Sequence, residues 1–322
     1  MVKFVSESDF IKSYNNLIIP YITKRRTDGT FCGFNQAEIF YSIFKADKER
    51  GKVILLHGYT EGIEKYRELI YYFLQDGLSV YVYDQRSHGK SHHPVSDVTL
   101  VHVDNFDEYV YDLEYFIDNV VSNVSPNKKD EVPLFIYAHS MGGAVATLYL
   151  EKGGTKIKKA VLNAPMIAHR RPSISHVIML PLLSIVALFA PKKRIFTMPK
   201  YPGYENFEDY SGTSEQRFWA YENYKRENII YAGWAPTHAW ARESFKVPFK
   251  ILKKGAVEKI NVPVYVYSAE LDKVVKNSYH LKFVRRLKYG VYKIIKNAKH
   301  EIFNSTDDVL ESYITEVLNV LK

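Results

Sequence analysis

The stretch "IYAHSMGGAVATLYL", residues 136–150, places a serine among small residues, between a predicted strand and a predicted helix. Its centre follows the G-x-S-x-G pattern of a nucleophile on a tight turn, with Ala138 in place of the first glycine. Small residues are needed there because the backbone is strained and the helix passes close to the strand. Alone, the stretch also fits a serine that caps a helix, so a nucleophilic role for Ser140 depends on its partners.

Two later strand ends offer the groups that would activate this serine. After the predicted strand "VPVYVYS" come Glu270 and Asp272, and after "YKIIK" comes His300. A serine followed along the chain by an acid and a histidine, each on a loop after a late strand, suits acyl transfer. Asp272 is the better acid, because it lies further past the strand end than Glu270 and can reach under the imidazole. We predict a catalytic triad of Ser140, Asp272 and His300.

Acyl transfer also needs backbone N–H groups that stabilise the oxyanion. The stretch "LLHGYTEG", residues 55–62, contains a strand end followed by a glycine that turns the chain. We expect the N–H groups of Tyr59 and Met141 to form this oxyanion hole. Taken alone, the stretch also fits an ordinary glycine turn.

The composition indicates a soluble globular chain. Of its 322 residues, 46% are hydrophobic and 15% aromatic, which is enough for a sizeable core. The formal net charge of +8 favours contact with anions, but the lysines are scattered among acidic residues and no nucleic-acid-binding module is present. The N-terminal residues lack an unbroken apolar core, so we predict no signal peptide. We expect a cytoplasmic protein, with peripheral contact at the inner membrane face as a further option.

The sequence does not predict a metal or another cofactor. The single cysteine, Cys32, excludes an internal disulfide and a cysteine-rich zinc site. His88, His92, His93 and His102 lie near one another along the chain, but no acid or cysteine has a recognised ligand spacing around them. We therefore predict no cofactor, no metal site, no nucleic-acid partner and no obligate protein partner.

The alternation of strands and helices predicts an α/β fold. Short apolar runs rich in β-branched and aromatic residues suit a buried, mostly parallel sheet. These predicted strands are residues 38–46, 53–57, 78–84, 132–138, 159–163, 262–268 and 292–296. Between them, apolar residues recur at helical spacing, most clearly in "DNFDEYVYDLEYFIDNVV", for which Asp104 or Asn105 would be the N-cap.

The alternation breaks between residues 166 and 249, and this block predicts an inserted, mainly helical cap. The core would then comprise residues 1–165 and 250–322. Within the cap, residues 177–190 are almost entirely apolar, but a stretch of about 14 residues is too short to span a bilayer. We interpret it as a buried cap helix. The alternative is a helix that docks on a lipid surface, favoured by the basic residues that follow it, Lys192, Lys193 and Arg194.

The cap is also rich in aromatic residues. Several of them are candidates to line an acyl tunnel, and packing of the cap onto the core is the alternative role: Phe218, Trp219, Tyr221, Tyr224, Trp234 and Trp240. We expect Trp234, Trp240 and His238 to contact the substrate.

Eight stretches occur in order from about residue 30 to the end: "LLHGYTEG", "YDQRSHGKS", "VDNFDEYVYDLEYF", "YAHSMGGAVATLYL", "LNAPM", "PTHAWARES", "SAELDKVV" and "NAKHEIF". Together they resemble the lysophospholipase L2 and monoacylglycerol lipase group of the α/β-hydrolase superfamily, which are hydrolases of the serine aminopeptidase S33 type. The resemblance implies a mostly parallel central sheet flanked by helices, an inserted cap, Ser140 as nucleophile, Asp272 as acid and His300 as base. Ser87 stands where the family's D-x-R-G-x-G-x-S loop has a glycine, which leaves the shape of that loop open.

The resemblance and the triad together predict a serine hydrolase that cleaves the fatty-acyl ester of lysophospholipids or monoacylglycerols through an acyl-enzyme intermediate. A carboxylesterase, thioesterase, peptidase or transacylase with the same triad is the alternative, since one fold hosts many chemistries. A non-catalytic, ligand-binding scaffold is a third possibility, and such proteins usually lack one triad residue.

Overall fold

The computed structural model describes residues 2–122, 132–170 and 176–322. The described residues form ten strands: β1 (Arg26–Cys32), β2 (Glu38–Phe44), β3 (Gly51–Leu56), β4 (Leu78–Tyr83), β5 (Leu100–Val101), β6 (Leu134–His139), β7 (Lys159–Asn163), β8 (Ala235–Pro236), β9 (Val264–Ala269) and β10 (Gly290–Ile295). They also form ten α-helices: α1 (Phe10–Ser13), α2 (Ile19–Thr23), α3 (Arg67–Gln75), α4 (Asp107–Phe116), α5 (Ser140–Glu151), α6 (His176–Phe189), α7 (Glu215–Glu227), α8 (His238–Ile251), α9 (Asn277–Val284) and α10 (Asp307–Val320). Two π-helical turns continue α1 and α4, at Tyr14–Ile18 and Ile117–Val121.

Eight of the strands form one twisted sheet in the order β1-β2-β4-β3-β6-β7-β9-β10. The pairs β1–β2 and β2–β4 are antiparallel, and all pairs from β4 to β10 are parallel. Parallel strands need crossover connections, which here carry the helices to the two faces of the sheet. The predicted α/β-hydrolase fold, with a mostly parallel sheet flanked by helices, is confirmed.

All seven predicted strands are present, with ends that differ by a few residues. The first strand of the sheet, β1, was missed by the sequence analysis because its side chains lie mostly outside the core, so its sequence "RTDGTFC" contains no apolar run. The predicted helix after Asp104 begins as α4 at Asp107. The side chain of Asn105 accepts the N–H of Asp107 at 3.0 Å, which satisfies one of the free donors at the helix start.

The two faces of the sheet carry separate hydrophobic clusters. One cluster contains buried residues of α4, α5, α8 and α9, and the other contains buried residues of α1, α2, α3 and α10. Helix α5 is buried along its whole length, which explains its continuous small and apolar sequence. The sheet therefore fixes α5 rigidly, together with the turn that leads into it.

The segment predicted as a cap contains α6, α7 and most of α8, which continues two residues past the predicted boundary at 249. Residues 171–175 of the segment lie outside the described part of the chain. Helix α8 packs on the core through Trp240, Val247 and Ile251, and the short strand β8 pairs with β5. Helix α6 packs against α8, where Leu183 contacts the α8 residues of a small separate cluster. The division of the chain at residues 166 and 249 stays a prediction.

The outer face of α6 is apolar and exposed. Exposed fractions reach 75% at Leu188 and 82% at Phe189. The helix is thus not fully buried as expected, since Leu183 and Ala187 are the only buried residues within residues 177–189 of α6, and docking of this face on a lipid surface stays a prediction. In the described ranges, none of the helices has both the length and the apolar character that crossing a bilayer would require.

Candidate active site

Ser140 lies at the junction of β6 and α5, without an intervening loop. Its φ is 48°, in the left-handed region that a residue with a side chain rarely adopts. This strained turn at the end of a central strand is the geometry expected for the G-x-S-x-G pattern. The strain is held by the surrounding structure, because β6 pairs with strands on both sides and α5 is buried.

The two glycines after Ser140 allow the close approach of backbone segments. A Cβ at Gly142 would lie 2.5 Å from the carbonyl oxygen of Leu56, and one at Gly143 would lie 2.7 Å from the Cβ of Pro165. Both distances are too short for real side-chain contacts, so the start of α5 requires glycine at both positions. The prediction that small residues make room for the turn has a direct steric explanation.

The structure brings Ser140, Asp272 and His300 into one hydrogen-bonded series. His300 Nε2 lies 2.8 Å from Ser140 Oγ, and His300 Nδ1 lies 2.7 Å from Asp272 Oδ2. Asp272 follows β9 and His300 follows β10, so both side chains lie at the carboxyl edge of the sheet, where β6 ends at Ser140. Glu270 has a different place, because its carboxylate accepts the exposed N–H of Asn297.

The Asp272 carboxylate is held by two further donors. The N–H groups of Val274 and Val275 donate to Asp272 Oδ1 at 2.7 and 2.9 Å. Burial raises the pKa of this carboxyl, but His300 and these two N–H groups outweigh burial and keep the pKa below its usual value. Asp272 is therefore ionised, with one oxygen directed at the imidazole.

The Asp272 carboxylate in turn raises the pKa of His300. Burial of the ring lowers the pKa of His300, but the charge of Asp272 and its hydrogen bond outweigh burial, and the pKa lies above the usual value. The negative charges of Glu301 and Glu61 act in the same direction. The site thus favours the imidazolium form, which a histidine must adopt when it accepts a proton from Ser140.

The two backbone N–H groups predicted to form the oxyanion hole lie in the turn after β3 and in the first turn of α5. In the turn after β3, the N–H of Gly58 donates to Glu61 Oε2 at 2.6 Å and the N–H of Thr60 donates to His88 Nε2 at 3.2 Å. Between them, the N–H of Tyr59 donates to no group in the described part of the chain. Met141 belongs to the first turn of α5, where an N–H group has no intrahelical acceptor.

Glu61 organises this turn. Besides the Gly58 N–H, its carboxylate accepts the hydroxyl of Tyr66 at 2.5 Å and lies 3.0 Å from Lys65 Nζ. Burial raises the pKa of Glu61, but Lys65 and these donors lower it far more, so the carboxylate stays ionised. This role of Glu61 was not predicted, although the spacing of the glutamate, lysine and tyrosine in "HGYTEGIEKY" was an available signal.

Two buried histidines beside the site have structural roles. His57 Nε2 accepts the N–H of Gln85 at 2.8 Å, and His139 Nδ1 lies 2.9 Å from the side-chain amide of Asn163. Burial lowers the pKa of each ring to about 4, so both are neutral near pH 7.

The loop that contains Ser87 keeps a left-handed turn although it lacks the glycine of the family pattern. Ser87 has φ 64°, and its Oγ donates to the carbonyl oxygen of His102 at 2.9 Å. The same Oγ accepts the N–H of His102 at 3.1 Å. These two hydrogen bonds offset the backbone strain that a serine suffers there.

A cavity of about 220 Å³ opens at Ser140 Oγ and His300. The core contributes residues such as Tyr59, Glu61, Lys65 and Glu301 to its wall, and loop 205–211 and α7 form the side contributed by the cap segment. Of the aromatic residues considered for an acyl tunnel, Phe218 and Tyr221 line this cavity. Sequence analysis missed its charged wall residues, because they lie on a loop and a helix whose faces periodicity does not assign.

Trp234, Trp240 and His238 do not line the cavity at Ser140. The indole of Trp234 donates to the carbonyl oxygen of Pro199, and His238 Nδ1 lies 3.0 Å from the carbonyl oxygen of Ala190. Trp240 is buried against Tyr59, and the centroids of the two rings lie 4.2 Å apart. Their residue type indicated contact with a ligand, whereas in the structure His238 and Trp240 are buried and Trp234 is half-buried. Their contact with substrate stays a prediction.

Comparison with known proteins identifies the family. The profile described as "Serine aminopeptidase, S33" matches residues 47–307. Lysophospholipase L2 of Escherichia coli (strain K12) is 28% identical over 309 residues, which cover 88% of this chain and 84% of that protein. Monoglyceride lipase of Saccharomyces cerevisiae is 25% identical over 316 residues, which cover 93% of this chain and 92% of that protein.

Solved structures show the same fold. A soluble variant of monoglyceride lipase from Saccharomyces cerevisiae, in complex with a substrate analog, matches with a TM-score of 0.73 at 21% identity over 91% of this chain and 94% of that one. A thermostable carboxyl esterase from Bacillus coagulans, in complex with glycerol, also has a TM-score of 0.73, at 19% identity over 92% and 97%. The chain therefore belongs to the serine aminopeptidase S33 family and is an α/β-hydrolase of the lipase and esterase type.

Proposed function

We propose that this protein hydrolyses the acyl ester of a single-chain glycerolipid, a lysophospholipid or a monoacylglycerol, through an acyl-enzyme intermediate. The observation that carries the proposal is the hydrogen-bonded series from Ser140 Oγ through His300 to Asp272, which opens directly into a cavity. A nucleophile, a base and an acid in this arrangement perform acyl transfer on several unrelated folds.

In the first step, His300 Nε2 accepts the proton of Ser140 as Oγ attacks the ester carbonyl. The imidazolium that forms is stabilised by the Asp272 carboxylate at 2.7 Å. The carbonyl oxygen becomes an oxyanion, for which the N–H groups of Tyr59 and Met141 are the proposed donors. His300 then donates its proton to the leaving alcohol, and the acyl group stays on Ser140.

In the second step, water attacks the acyl-enzyme. His300 accepts a proton from the water, the tetrahedral intermediate is stabilised by the same two N–H groups, and Ser140 leaves with its proton restored. The products are a fatty acid and free enzyme. All groups needed for both steps are side chains or backbone amides of this chain.

Two observations support a lipid ester as substrate. Relatives that cover most of the chain are named lysophospholipase L2 and monoglyceride lipase, at 28% and 25% identity. In addition, the outer face of α6 exposes Leu182, Ile185, Leu188 and Phe189, a larger apolar surface than isolated exposed side chains form. An exposed apolar helix face with basic residues beside it is typical of proteins that contact a lipid surface.

We infer that the α6 face makes peripheral contact with membrane lipid. Co-sedimentation with phosphatidylcholine vesicles, with and without an anionic lipid, tests this inference. The wild type is compared with Leu188→Ser/Phe189→Ser. Leu17→Ser is the control, because Leu17 is exposed but lies outside the cap segment. We expect the double variant to lose vesicle binding and the control to keep it. Absence of vesicle binding by the wild type would contradict the inference.

The catalytic proposal is tested by Ser140→Ala, with Ser278→Ala as the control because Ser278 is exposed on α9. Loss of the nucleophile should lower the rate on a p-nitrophenyl ester and on a lysophospholipid by roughly 10⁴-fold or more. A fluorophosphonate probe should label wild type and Ser278→Ala but not Ser140→Ala. Wild-type activity in Ser140→Ala would refute the proposal, and a silent wild type would favour a non-catalytic scaffold.

A further inference from the structure

The cap segment contributes a charged wall to the cavity at Ser140. Glu205, Asp209, Glu222 and Lys225 line the cavity from loop 205–211 and α7. The core adds two further carboxylates and one lysine, Glu61, Glu301 and Lys65. Charged groups next to a hydrocarbon chain would lose solvation without compensation, so this wall does not suit an acyl chain. It suits the polar, alcohol-derived part of an ester.

The carboxylates outnumber the lysines, and each lysine is shared. Lys225 Nζ lies 2.8 Å from Glu222 and also pairs with Glu205. Lys65 Nζ lies 2.6 Å from Glu301 and 3.0 Å from Glu61. Arg226 also pairs with Glu222, at 3.3 Å, so three cations face these four carboxylates. Together with Asp209, the wall keeps an excess of negative charge, which would repel a ligand of net negative charge.

Exposure orders these charges from the inside of the cavity to the outside. Lys225 and Lys65 are almost fully buried, whereas the side chain of Glu205 is 29% exposed and Asp209 is exposed. Asp209 makes no ion pair with the described residues. Asp209 is therefore the charged group of the wall that lies nearest solvent, and the two lysines lie deeper.

A second, independent feature also indicates a missing polar ligand. Tyr221 is 7% exposed and lines the cavity, yet its hydroxyl has no hydrogen-bond partner in the part of the chain that the structure describes. Burial raises the pKa of Tyr221, so the group stays a neutral donor. Buried hydroxyls without partners are uncommon, and an oxygen of a bound ligand would satisfy this one.

The tyrosine rings themselves are already in contact with cations. Lys65 Nζ lies 5.4 Å from the ring centroid of Tyr221 and 5.6 Å from that of Tyr210, and Lys225 Nζ lies 5.6 Å from Tyr221. A quaternary ammonium group is recognised mainly by free aromatic faces, whereas a primary ammonium offers three N–H donors to carboxylates. The wall thus suits a primary ammonium better than a quaternary one.

We propose that this wall is a head-group site that selects zwitterionic lysophospholipids with a terminal primary ammonium, as in lysophosphatidylethanolamine. The proposal rests on the proposed ester hydrolysis at Ser140. The phosphate would lie near the inner lysines and the Tyr221 hydroxyl, and the ammonium would lie between Asp209 and Glu205. Anionic heads such as phosphoglycerol would place a net negative charge against a wall that is already negative.

The test compares kcat/KM for lysophosphatidylethanolamine, lysophosphatidylcholine, lysophosphatidylglycerol and monoacylglycerol with one acyl chain. Each substrate is diluted in micelles of a neutral detergent, so that attraction of the net positive protein to an anionic surface does not enter the comparison. The variants are Asp209→Asn, which breaks no ion pair of the described residues, and Asp209→Asn/Glu205→Gln. Glu227→Gln is the matched control, because Glu227 is an exposed carboxylate of the cap segment, at the end of α7, that does not line the cavity.

We expect the kcat/KM of the wild type to be about tenfold higher for lysophosphatidylethanolamine than for lysophosphatidylglycerol. Asp209→Asn should lower this ratio by roughly 3-fold and the double variant by more, whereas Glu227→Gln should leave it unchanged. A ratio that is equal in wild type and both variants, or a preference for choline or for the anionic head, would overturn the proposal. Hydrolysis of a p-nitrophenyl ester, which has no lipid head group, distinguishes failure of the head-group proposal from failure of the proposed ester hydrolysis. A wild type inactive on this ester would refute the ester hydrolysis itself.

Discussion

Asp272→Asn is the substitution that tests the proposed triad most directly. Asp272 Oδ1 accepts two backbone N–H groups, from Val274 and Val275, while Oδ2 faces His300 Nδ1. In asparagine, the side-chain oxygen would keep the two N–H donors, and the NH₂ group would then face His300. A donor at that position forces Nδ1 to act as an acceptor, so the proton resides on Nε2. His300 could then no longer accept the proton of Ser140.

The expected loss is large because the ring is trapped in the wrong tautomer. A loss of about 10⁴-fold in kcat corresponds to about 5 kcal/mol in the activation barrier. The pH dependence changes as well. The charge of Asp272 raises the pKa of His300, and the base must be neutral, so in the wild type kcat/KM rises with pH through this raised pKa. Removal of the charge lowers the pKa and moves this acid limb to lower pH.

The assay is kcat/KM on p-nitrophenyl butyrate between about pH 5 and 9. Glu270→Gln is the matched control, since Glu270 precedes Asp272 by two residues and binds the exposed Asn297 N–H instead. It should keep near wild-type activity and an unchanged profile. The reasoning would be refuted if Asp272→Asn kept more than about a tenth of the activity, or if its acid limb stayed in place or moved to higher pH.

Three further predictions concern the scaffold of the site. Gly142→Ala places a Cβ 2.5 Å from one backbone carbonyl oxygen and 2.7 Å from a second, so we expect the free energy of unfolding, measured by urea denaturation, to fall by about 1–3 kcal/mol. A urea midpoint equal to that of the wild type would contradict this. Burial raises the pKa of Asp84 to about 7, so the contribution of Asp84 to stability is complete below about pH 4 and is lost as the pH rises to 7. Asp84→Asn should therefore make the free energy of unfolding fall less steeply between these pH values. An unchanged slope would contradict this assignment. Ser87→Ala removes two hydrogen bonds but keeps the strain at φ 64°, so it should lower the melting temperature more than Ser87→Gly, which relieves the strain; the reverse order would contradict the account of this loop.

Local sequence signals were sufficient for most of the sheet. Five of the seven predicted strands, β3, β4, β6, β7 and β9, are parallel strands buried on both faces, which gives them continuous apolar sequences. Strand β1 could not be predicted, since most of its side chains lie outside the core. The elbow around Ser140 was predictable for a similar reason. Its backbone passes so close to other segments that only small residues fit, and that restriction is visible in the sequence.

Chain order also identified Asp272 and His300 before their distances were known. Each follows a predicted strand, and parallel strands end at the same edge of a sheet, so their loops must meet near Ser140. The preference for Asp272 over Glu270 came from its distance beyond the strand end. In the structure, Asp272 is the carboxylate that contacts His300.

The cavity wall could not be predicted, because no periodic pattern or fixed spacing relates loop 205–211 and α7 to Ser140. Trp234, Trp240 and His238 were singled out by residue type, and all three lie outside this cavity. Conversely, Glu205 and Asp209 had no feature that marked them as neighbours of the nucleophile, although both line the cavity. The sequence alone determined the sheet and the order of the reactive residues, since both depend on local burial and chain direction. Only the tertiary structure decided which side chains surround the ester, because this depends on how the cap segment packs over the sheet.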